Sequence, residues 1–158
     1  MSGQKITPML WFDGEAEAAA KHYTAAFKDG RITHVERYGT AGPGPKGSVM
    51  LVTFELAGQT FHALNGGPAF KPSGASSLLV ACDDQAEIDR LWDHFSEGGA
   101  TLDCGWLTDR WGYSWQIVPR RMMEIMAGDD ADQKARAFGA MMQMQKFDLA
   151  KIETAARG

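Results

Sequence analysis

Two polar residues, His62 and Gln116, occupy matching places in two similar segments of the sequence. Residues 58–64 read GQTFHAL, and residues 112–118 read GYSWQIV. Side chains of a β-strand alternate between its two faces. The aromatic residues beside His62 and Gln116 should pack on helices, so we expect His62 and Gln116 to face one concave cavity. A histidine there could ligate a metal or transfer a proton, since imidazole ordinarily titrates near pH ~6.5.

A second chemically unusual segment is CGWLTDRWG at residues 104–112. Trp106 and Trp111 could wall the cavity or belong to the core. Arg110 beside aromatic walls could bind an anionic or planar ligand. The remaining histidines lie outside any H-x-x-x-H or H-E-x-x-H motif, and the sequence has no G-x-S-x-G elbow. These patterns argue against a zinc protease and a serine hydrolase.

The elements that must position these residues form a duplicated pattern. Residues 10–17 (LWFDGEAE) are echoed by residues 80–87 (VACDDQAE), and each half reads strand, helix, then strands. One such unit cannot bury its sheet face alone. We therefore predict an α+β fold in which paired βαβββ modules form a cup-shaped mixed sheet.

The predicted organisation is a single domain over residues 1–158 with four parts. Module one covers 5–64, a linker covers 65–75, module two covers 76–119, and a helical tail covers 120–158. The first strand is predicted at 6–12 and its helix at 15–27. In module two, Asp84 and Glu87 predict a capping box for a helix at 85–97.

Two further segments lack a counterpart in the other module. Residues 39–47 hold four glycines and two prolines, which predicts a mobile loop long enough to cover a pocket. The tail holds six of the nine methionines. Ala135, Phe138 and Met142 share one face of a tail helix, and we expect that face to pack against the body or a partner subunit.

Composition narrows the function classes. The formal net charge of −4 argues against a nucleic-acid partner, which needs a basic patch. No apolar run approaches the roughly 20 residues of a membrane span, so we expect no membrane partner. The two cysteines, Cys82 and Cys104, form no C-x-x-C pair, and a reduced, cytoplasmic setting is the simpler interpretation.

The sequence resembles the PhnB-like family, also described as 3-demethylubiquinone methyltransferase-like, of the vicinal oxygen chelate superfamily. That superfamily includes glyoxalase I, bleomycin-resistance proteins and extradiol dioxygenases. The motifs that carry the resemblance are WFDG at 11–14, NGGP at 65–68, CDDQAEIDRLW at 82–92, GG at 98–99, CGWLTD at 104–109, GYSWQIVP at 112–119 and MMQM at 141–144.

The resemblance implies a cup-shaped sheet and a homodimer. It also implies that metal ligands, where present, lie on the first and last strands of each module. Carried over by motif, those positions are Thr7, His62, Ser77 and Gln116. Only His62 is a good ligand for a divalent metal, so no cofactor is expected, although a weak divalent metal at His62 stays open.

We therefore expect a dimeric protein that binds a small molecule in a concave pocket without a full metal-ligand set. The pocket residues would be Thr7, His62, Ser77, Gln116, Trp106, Trp111 and Arg110. The alternative is an enzyme, either a lyase, isomerase or dioxygenase with a metal at His62, or a metal-free catalyst with His62 as acid or base. A structural dimer with a relic cavity is a third interpretation. A methyltransferase is disfavoured because no glycine-rich strand-to-helix turn could cradle S-adenosylmethionine.

Overall fold

The computed structural model describes residues 3–158, which form an α+β fold. The chain divides between Pro72 and Ser73 into two compact units. Each unit contains one mixed four-stranded sheet. We call them unit one and unit two, and each is described by itself.

Unit one has the order strand, helix, three strands. Its sheet runs β1-β4-β3-β2, with β1 parallel to β4 and the other neighbours antiparallel. The elements are β1 (Met9–Phe12), α1 (Ala16–Ala25), β2 (Arg31–Arg37), β3 (Val49–Leu56) and β4 (Gln59–Asn65).

The first strand begins three residues later than predicted, at Met9 instead of Ile6. The carboxamide of Gln4 explains the difference. Its Nε2 donates to the carbonyl of Thr60 at 2.9 Å, and its Oε1 accepts from the Thr60 N–H at 2.9 Å. Because a side chain takes the backbone groups of β4 at that point, Thr7 lies outside the strand.

The core of unit one lies between α1 and one face of its sheet. Ala16, Ala19, Ala20 and Tyr23 are buried on α1. The Tyr23 ring approaches Phe54 on β3, and Phe54 stacks on Phe61 at a centroid distance of 5.5 Å. The aromatic positions of β3 and β4 therefore face the helix, as the alternation in the sequence predicts.

Unit two repeats the arrangement. Its sheet runs β5-β8-β7-β6, so corresponding strands hold corresponding places in the two sheets. This equivalence confirms the duplicated βαβββ pattern. The elements are β5 (Ser77–Cys82), α2 (Gln85–Ser96), β6 (Ala100–Thr101), β7 (Trp106–Thr108) and β8 (Ser114–Pro119).

The core of unit two also lies between helix and sheet. Ile88, Leu91, Trp92 and Phe95 are buried on α2. Trp115 on β8 stacks on Phe95 with a centroid distance of 4.0 Å. Trp115 thus takes the place that Phe61 holds in unit one.

The two modules cap their helices differently. The predicted capping box of α2 is confirmed, because Asp84 Oδ1 accepts from the Glu87 N–H at 2.8 Å and Glu87 Oε2 accepts from the Asp83 N–H at 2.7 Å. The residue before α1, Glu15, makes no side-chain cap. Asn65, at the end of β4, provides the acceptor instead, because its Oδ1 accepts from the Ala16 N–H at 2.9 Å. Asn65 belongs to β4 and not to the predicted linker.

The tail is helical, as predicted, with α3 (Arg120–Ala127), α4 (Ala131–Met141) and α5 (Leu149–Arg157). Asp130 and Asp148 cap α4 and α5 by accepting from backbone N–H groups three residues ahead. The Ala135, Phe138 and Met142 face is not packed against the rest of unit two, and its packing against a partner subunit stays a prediction. Phe138 and Met142 are 46% and 52% exposed, and α4 instead buries Ala137. Within residues 3–158, none of the helices is both long and apolar enough to cross a bilayer.

Candidate functional site

His62 lies on the face of the unit-one sheet that is opposite α1. It is half-buried, and its Nδ1 lies 3.0 Å from the Thr53 hydroxyl on β3. The hairpin dictates this pairing, since the two-residue turn at Ala57–Gly58 aligns Thr53 with His62. A histidine held through Nδ1 presents its Nε2 atom to whatever approaches the sheet.

The β1 neighbour of His62 is Met9, not Thr7. Met9 is 55% exposed, and the backbone N–H of His62 donates to the carbonyl of Pro8 at 2.9 Å. The carry-over of Thr7 as a ligand position therefore misses the residue beside His62. A thioether and a hydroxyl flank the imidazole in place of carboxylates or further histidines.

Gln116 occupies the equivalent position in unit two. Its Nε2 donates to the Ser77 hydroxyl at 2.9 Å, so the structure brings these two predicted residues together. The register places Leu79 on one side of Gln116 and Trp106 on the other. Leu79 is 47% exposed and corresponds to Met9, so each unit sets one polar side chain beside an exposed apolar one.

Arg110 and Trp111 lie apart from Gln116. Both belong to the connection from β7 to β8. The Arg110 guanidinium reaches Glu97 at 3.6 Å and the Trp111 ring at 5.4 Å from its centroid. They form a cluster with Glu97 at the carboxyl end of α2. The strand register places Trp106 directly beside Gln116.

Electrostatics distinguish the two cysteines, which are both free thiols. Burial, followed by the nearby carboxylates of Glu87 and Asp83, raises the pKa of the Cys82 thiol from 9.0 to about 12. Cys104 is half-buried, with its Sγ atom 3.7 Å from Met142 Sδ. Cys82 therefore behaves as a buried apolar side chain and not as a nucleophile.

The donors around His62 do not fit a strongly bound divalent metal. Over residues 3–158, no three histidine, cysteine, aspartate or glutamate side chains converge as a ligand group. Divalent metals favour imidazole, carboxylate and thiolate ligands. We therefore assign no catalytic step to a metal.

The residues that sequence reasoning missed are Thr53, Met9 and Leu79. The sequence does carry a signal for Thr53, because a two-residue turn at Ala57–Gly58 determines which residue of β3 pairs with His62 on β4. Met9 and Leu79 required the parallel register of β1 on β4 and β5 on β8, which no local motif specifies.

Comparisons with known proteins agree with this architecture. Residues 4–118 match the model of the 3-demethylubiquinone-9 3-methyltransferase family, so the tail motif at 141–144 lies outside the match. A solved structure from Bacillus cereus, described as a 3-demethylubiquinone-9 3-methyltransferase and PhnB protein, is 37% identical. The similarity covers 73% of this chain and 99% of that chain, with a TM-score of 0.68.

More distant structures share the fold alone. A Pseudomonas aeruginosa protein is 22% identical, with a TM-score of 0.60 over 72% of this chain and 95% of its own. The trypanothione-dependent glyoxalase I of Leishmania major is 14% identical, with a TM-score of 0.51 over 87% and 99%. No functionally curated protein matches the sequence. The chain belongs to the 3-demethylubiquinone-9 3-methyltransferase (PhnB-like) family.

Proposed function

We propose that the protein binds a small organic molecule on the sheet face that carries His62. The observation behind this proposal is the bond between His62 Nδ1 and the Thr53 hydroxyl, which orients the ring and leaves Nε2 for a ligand. Small-molecule sites combine an apolar surface with a few positioned polar groups. Met9 and Leu64, which share this face with His62, supply the apolar surface.

Gln116 supports a corresponding role in unit two. Its carboxamide is held by Ser77 and flanked by Leu79 and Trp106. An amide offers both a donor and an acceptor without charge. Unit two would therefore offer a neutral polar group on its own sheet face, where unit one offers a titratable one.

An acid–base enzyme is the second candidate, and the same hydrogen bond favours it. If His62 Nδ1–H donates to Thr53 Oγ1, the lone pair on Nε2 can accept a proton from a ligand O–H or C–H group and later return it. Thr53 would then be a positioning residue that selects the tautomer. The reaction class would be proton transfer within one substrate, which needs no co-reactant.

Methyl transfer, which the family name describes, is not proposed for this chain. The turns that lead from β1 to α1 and from β5 to α2 read Asp13-Gly14-Glu15 and Asp83-Asp84. They are acidic and not glycine-rich. Homodimerisation and a reducing, cytoplasmic setting are also proposals, the latter supported by the two free thiols.

The test is a fragment screen by amide and histidine side-chain NMR on the wild-type protein. A ligand of the proposed site shifts the His62 ring signals. Its affinity should fall about ten-fold in His62→Ala, and roughly five-fold in Thr53→Val, which leaves the ring unoriented. Thr24→Val, on α1, is the matched control and should bind normally. Fragments that bind equally to all four proteins would refute the site.

A further inference from the structure

Unit one contains a concavity that is separate from the His62 face. It is a cavity of about 390 Å³ at the amino end of α1, which we call the loop cavity. Its volume lies within the ~300–1,000 Å³ typical of small-ligand sites. The side chains that decide its chemistry are those of Asp13, Glu17, Tyr38, Pro43, Pro45 and Val49.

Tyr38 forms the inner wall of the loop cavity. It is buried, and its hydroxyl donates to the carbonyl of Asn65 at 2.7 Å. The 39–47 loop lies directly against its ring. A Cβ atom built on Gly44 would come within 2.3 Å of Tyr38 Cδ2, and one on Gly42 within 3.1 Å of Cδ1. Gly42 and Gly44 are therefore required by close contact with an aromatic ring.

Hydrogen bonds at the base of the loop hold the outer wall in place. The Gly47 N–H donates to the carbonyl of Tyr38 at 2.8 Å, and the Tyr38 N–H donates to the carbonyl of Ser48 at 2.9 Å. The Ser48 hydroxyl donates to the carbonyl of Pro45 at 2.6 Å. The residues that form both walls of the cavity therefore all belong to unit one.

The chemistry of the loop cavity is acidic on one side and apolar on the other. Asp13 and Glu17 provide two carboxylates, and none of the lining residues is a lysine, arginine or histidine. Lys21 pairs with Glu17 at 3.3 Å from the exposed side of α1, and Lys46 follows Pro45 on the outside of the loop. The apolar side consists of Pro43, Pro45 and Val49 with the Tyr38 ring.

We propose that the loop cavity binds a small primary amine with a short apolar body. The ammonium group would lie between the carboxylates of Asp13 and Glu17, and the apolar body would lie along the proline and tyrosine wall. A carboxylate or phosphate ligand is disfavoured there by like-charge repulsion. The 39–47 loop acts in this proposal as a wall of the site.

The proposal is tested with three matched probes of similar shape: phenethylamine, phenethyl alcohol and hydrocinnamate. Binding is followed by calorimetry and by the amide NMR shifts of Gly44, Asn65 and Gly66. We expect the amine to bind roughly five-fold more tightly than the alcohol, as an exposed ion pair permits. The carboxylate should bind more weakly than both. Equal affinity for amine and alcohol would overturn the proposal.

Charge and wall variants separate the two halves of the site. Asp13 and Glu17 are at the surface, so Asp13→Asn combined with Glu17→Gln should fold normally. The double variant should lose the preference for the amine over the alcohol. Gly44→Ala should weaken both probes because its Cβ displaces the Tyr38 ring. Gly39→Ala, where a Cβ meets no atom within 4 Å, is the control. A double variant that keeps the amine preference would refute the assignment.

The outcome is independent of the function proposed for His62. The variant His62→Ala should bind phenethylamine as the wild type does, because His62 is not among the residues that line the loop cavity. If His62→Ala abolishes amine binding, the amine occupies the His62 face and the loop cavity is not its site.

Discussion

Asp109 shows how one buried carboxylate can organise a connection between strands. It is 2% exposed. Its Oδ1 accepts from the backbone N–H groups of Trp111 and Tyr113 at 2.9 and 3.0 Å, and its Oδ2 accepts from Trp115 Nε1 at 3.0 Å. The carboxylate thereby ties the turn between β7 and β8 to the indole that stacks on α2. Its neighbour Arg110 points to the surface, so the adjacent pair has two unrelated environments.

Asp109→Asn should destabilise the protein although it barely changes shape. One oxygen becomes an NH₂ group, which accepts no hydrogen bond, so either the backbone N–H groups of Trp111 and Tyr113 or the Trp115 indole loses its acceptor. A buried donor left without an acceptor costs about 1–3 kcal/mol. Urea unfolding measures the loss, and Asp103→Asn on the exposed surface is the control. Equal stability of Asp109→Asn and wild type would show that the carboxylate is dispensable.

The raised pKa of Cys82 predicts a pH dependence of stability. The folded protein keeps the thiol protonated up to about pH 12, whereas an unfolded thiol ionises near 9.0. The stabilisation is complete below pH 9.0 and declines as the pH rises from there to about 12. Urea unfolding of wild type and Cys82→Ala across this range should show a smaller loss in the variant. If the free energy of unfolding falls equally in wild type and Cys82→Ala, the raised pKa of Cys82 is contradicted.

The donor set around His62 predicts weak metal binding. Protein purified without chelator should contain clearly substoichiometric zinc, nickel, manganese and iron, because one imidazole beside a thioether and a hydroxyl does not form a strong divalent site. Elemental analysis measures this directly. A stoichiometric metal that disappears in His62→Ala would reverse the conclusion and favour the metalloenzyme alternative.

At the scale of elements, the two modules hold the same strand order and different helix caps. Asp13 and Asp83 are equivalent in the two copies, but the next residue is Gly14 before α1 and Asp84 before α2. Gly14 has no side chain to accept from the helix, and Asn65 supplies the missing acceptor from β4. Asn65 also donates through Nδ2 to the carbonyl of Val49 at 3.1 Å.

Replacing Asn65 should destabilise the protein more than removing a local helix cap does. Asn65→Ala removes the acceptor for the Ala16 N–H and the donor for Val49, at a cost of about 1–3 kcal/mol. Asp84→Ala removes only the local cap of α2, typically ~1 kcal/mol. Thermal and urea unfolding compare them. Asn65→Asp keeps the acceptor and should fall between wild type and Asn65→Ala. An Asn65→Ala loss smaller than that of Asp84→Ala would argue against the shared role.

The order of elements along each module, the α2 capping box and the placement of His62 on the sheet face away from α1 could all be predicted from local patterns. Alternation along β4 and the tight turn at Ala57–Gly58 carried that information. The start of β1 could not be predicted in this way, because the Gln4 side chain takes the backbone hydrogen bonds of Thr60 that a longer β1 would otherwise form. The role of Asn65 was also hidden, since its partners lie on α1 and β3 and a glycine-rich sequence follows it.

At the scale of the whole molecule, the helical tail leaves apolar side chains on the surface. Met123 and Met126 on α3, and Phe138 and Met142 near the end of α4, are exposed. The same molecule has sheet edges at β1 and β5 on one side of each sheet and at β2 and β6 on the other. Exposed apolar surface and open edges are features that association covers.

We expect a homodimer in solution. Light scattering at micromolar concentration should give about twice the chain mass of 17.3 kDa. If the tail forms the interface, Phe138→Ser with Met142→Ser should shift the mass toward the monomer. Phe70→Ser, an exposed aromatic residue in unit one, is the control and should not. A wild-type mass of 17.3 kDa would refute the dimer.

The cap that Asn65 provides affects the order in which the two modules can fold during synthesis on the ribosome. The cap of α2 closes over three residues, whereas the cap of α1 joins groups 49 residues apart. The Ala16 N–H of α1 can therefore be paired with Asn65 only after β4 has been synthesised. The Glu87 N–H of α2 can pair with Asp84 as soon as the helix itself has been synthesised. Loop closure over a long separation slows folding. The amino terminus of α1 is thus without this acceptor until residue 65 has been synthesised.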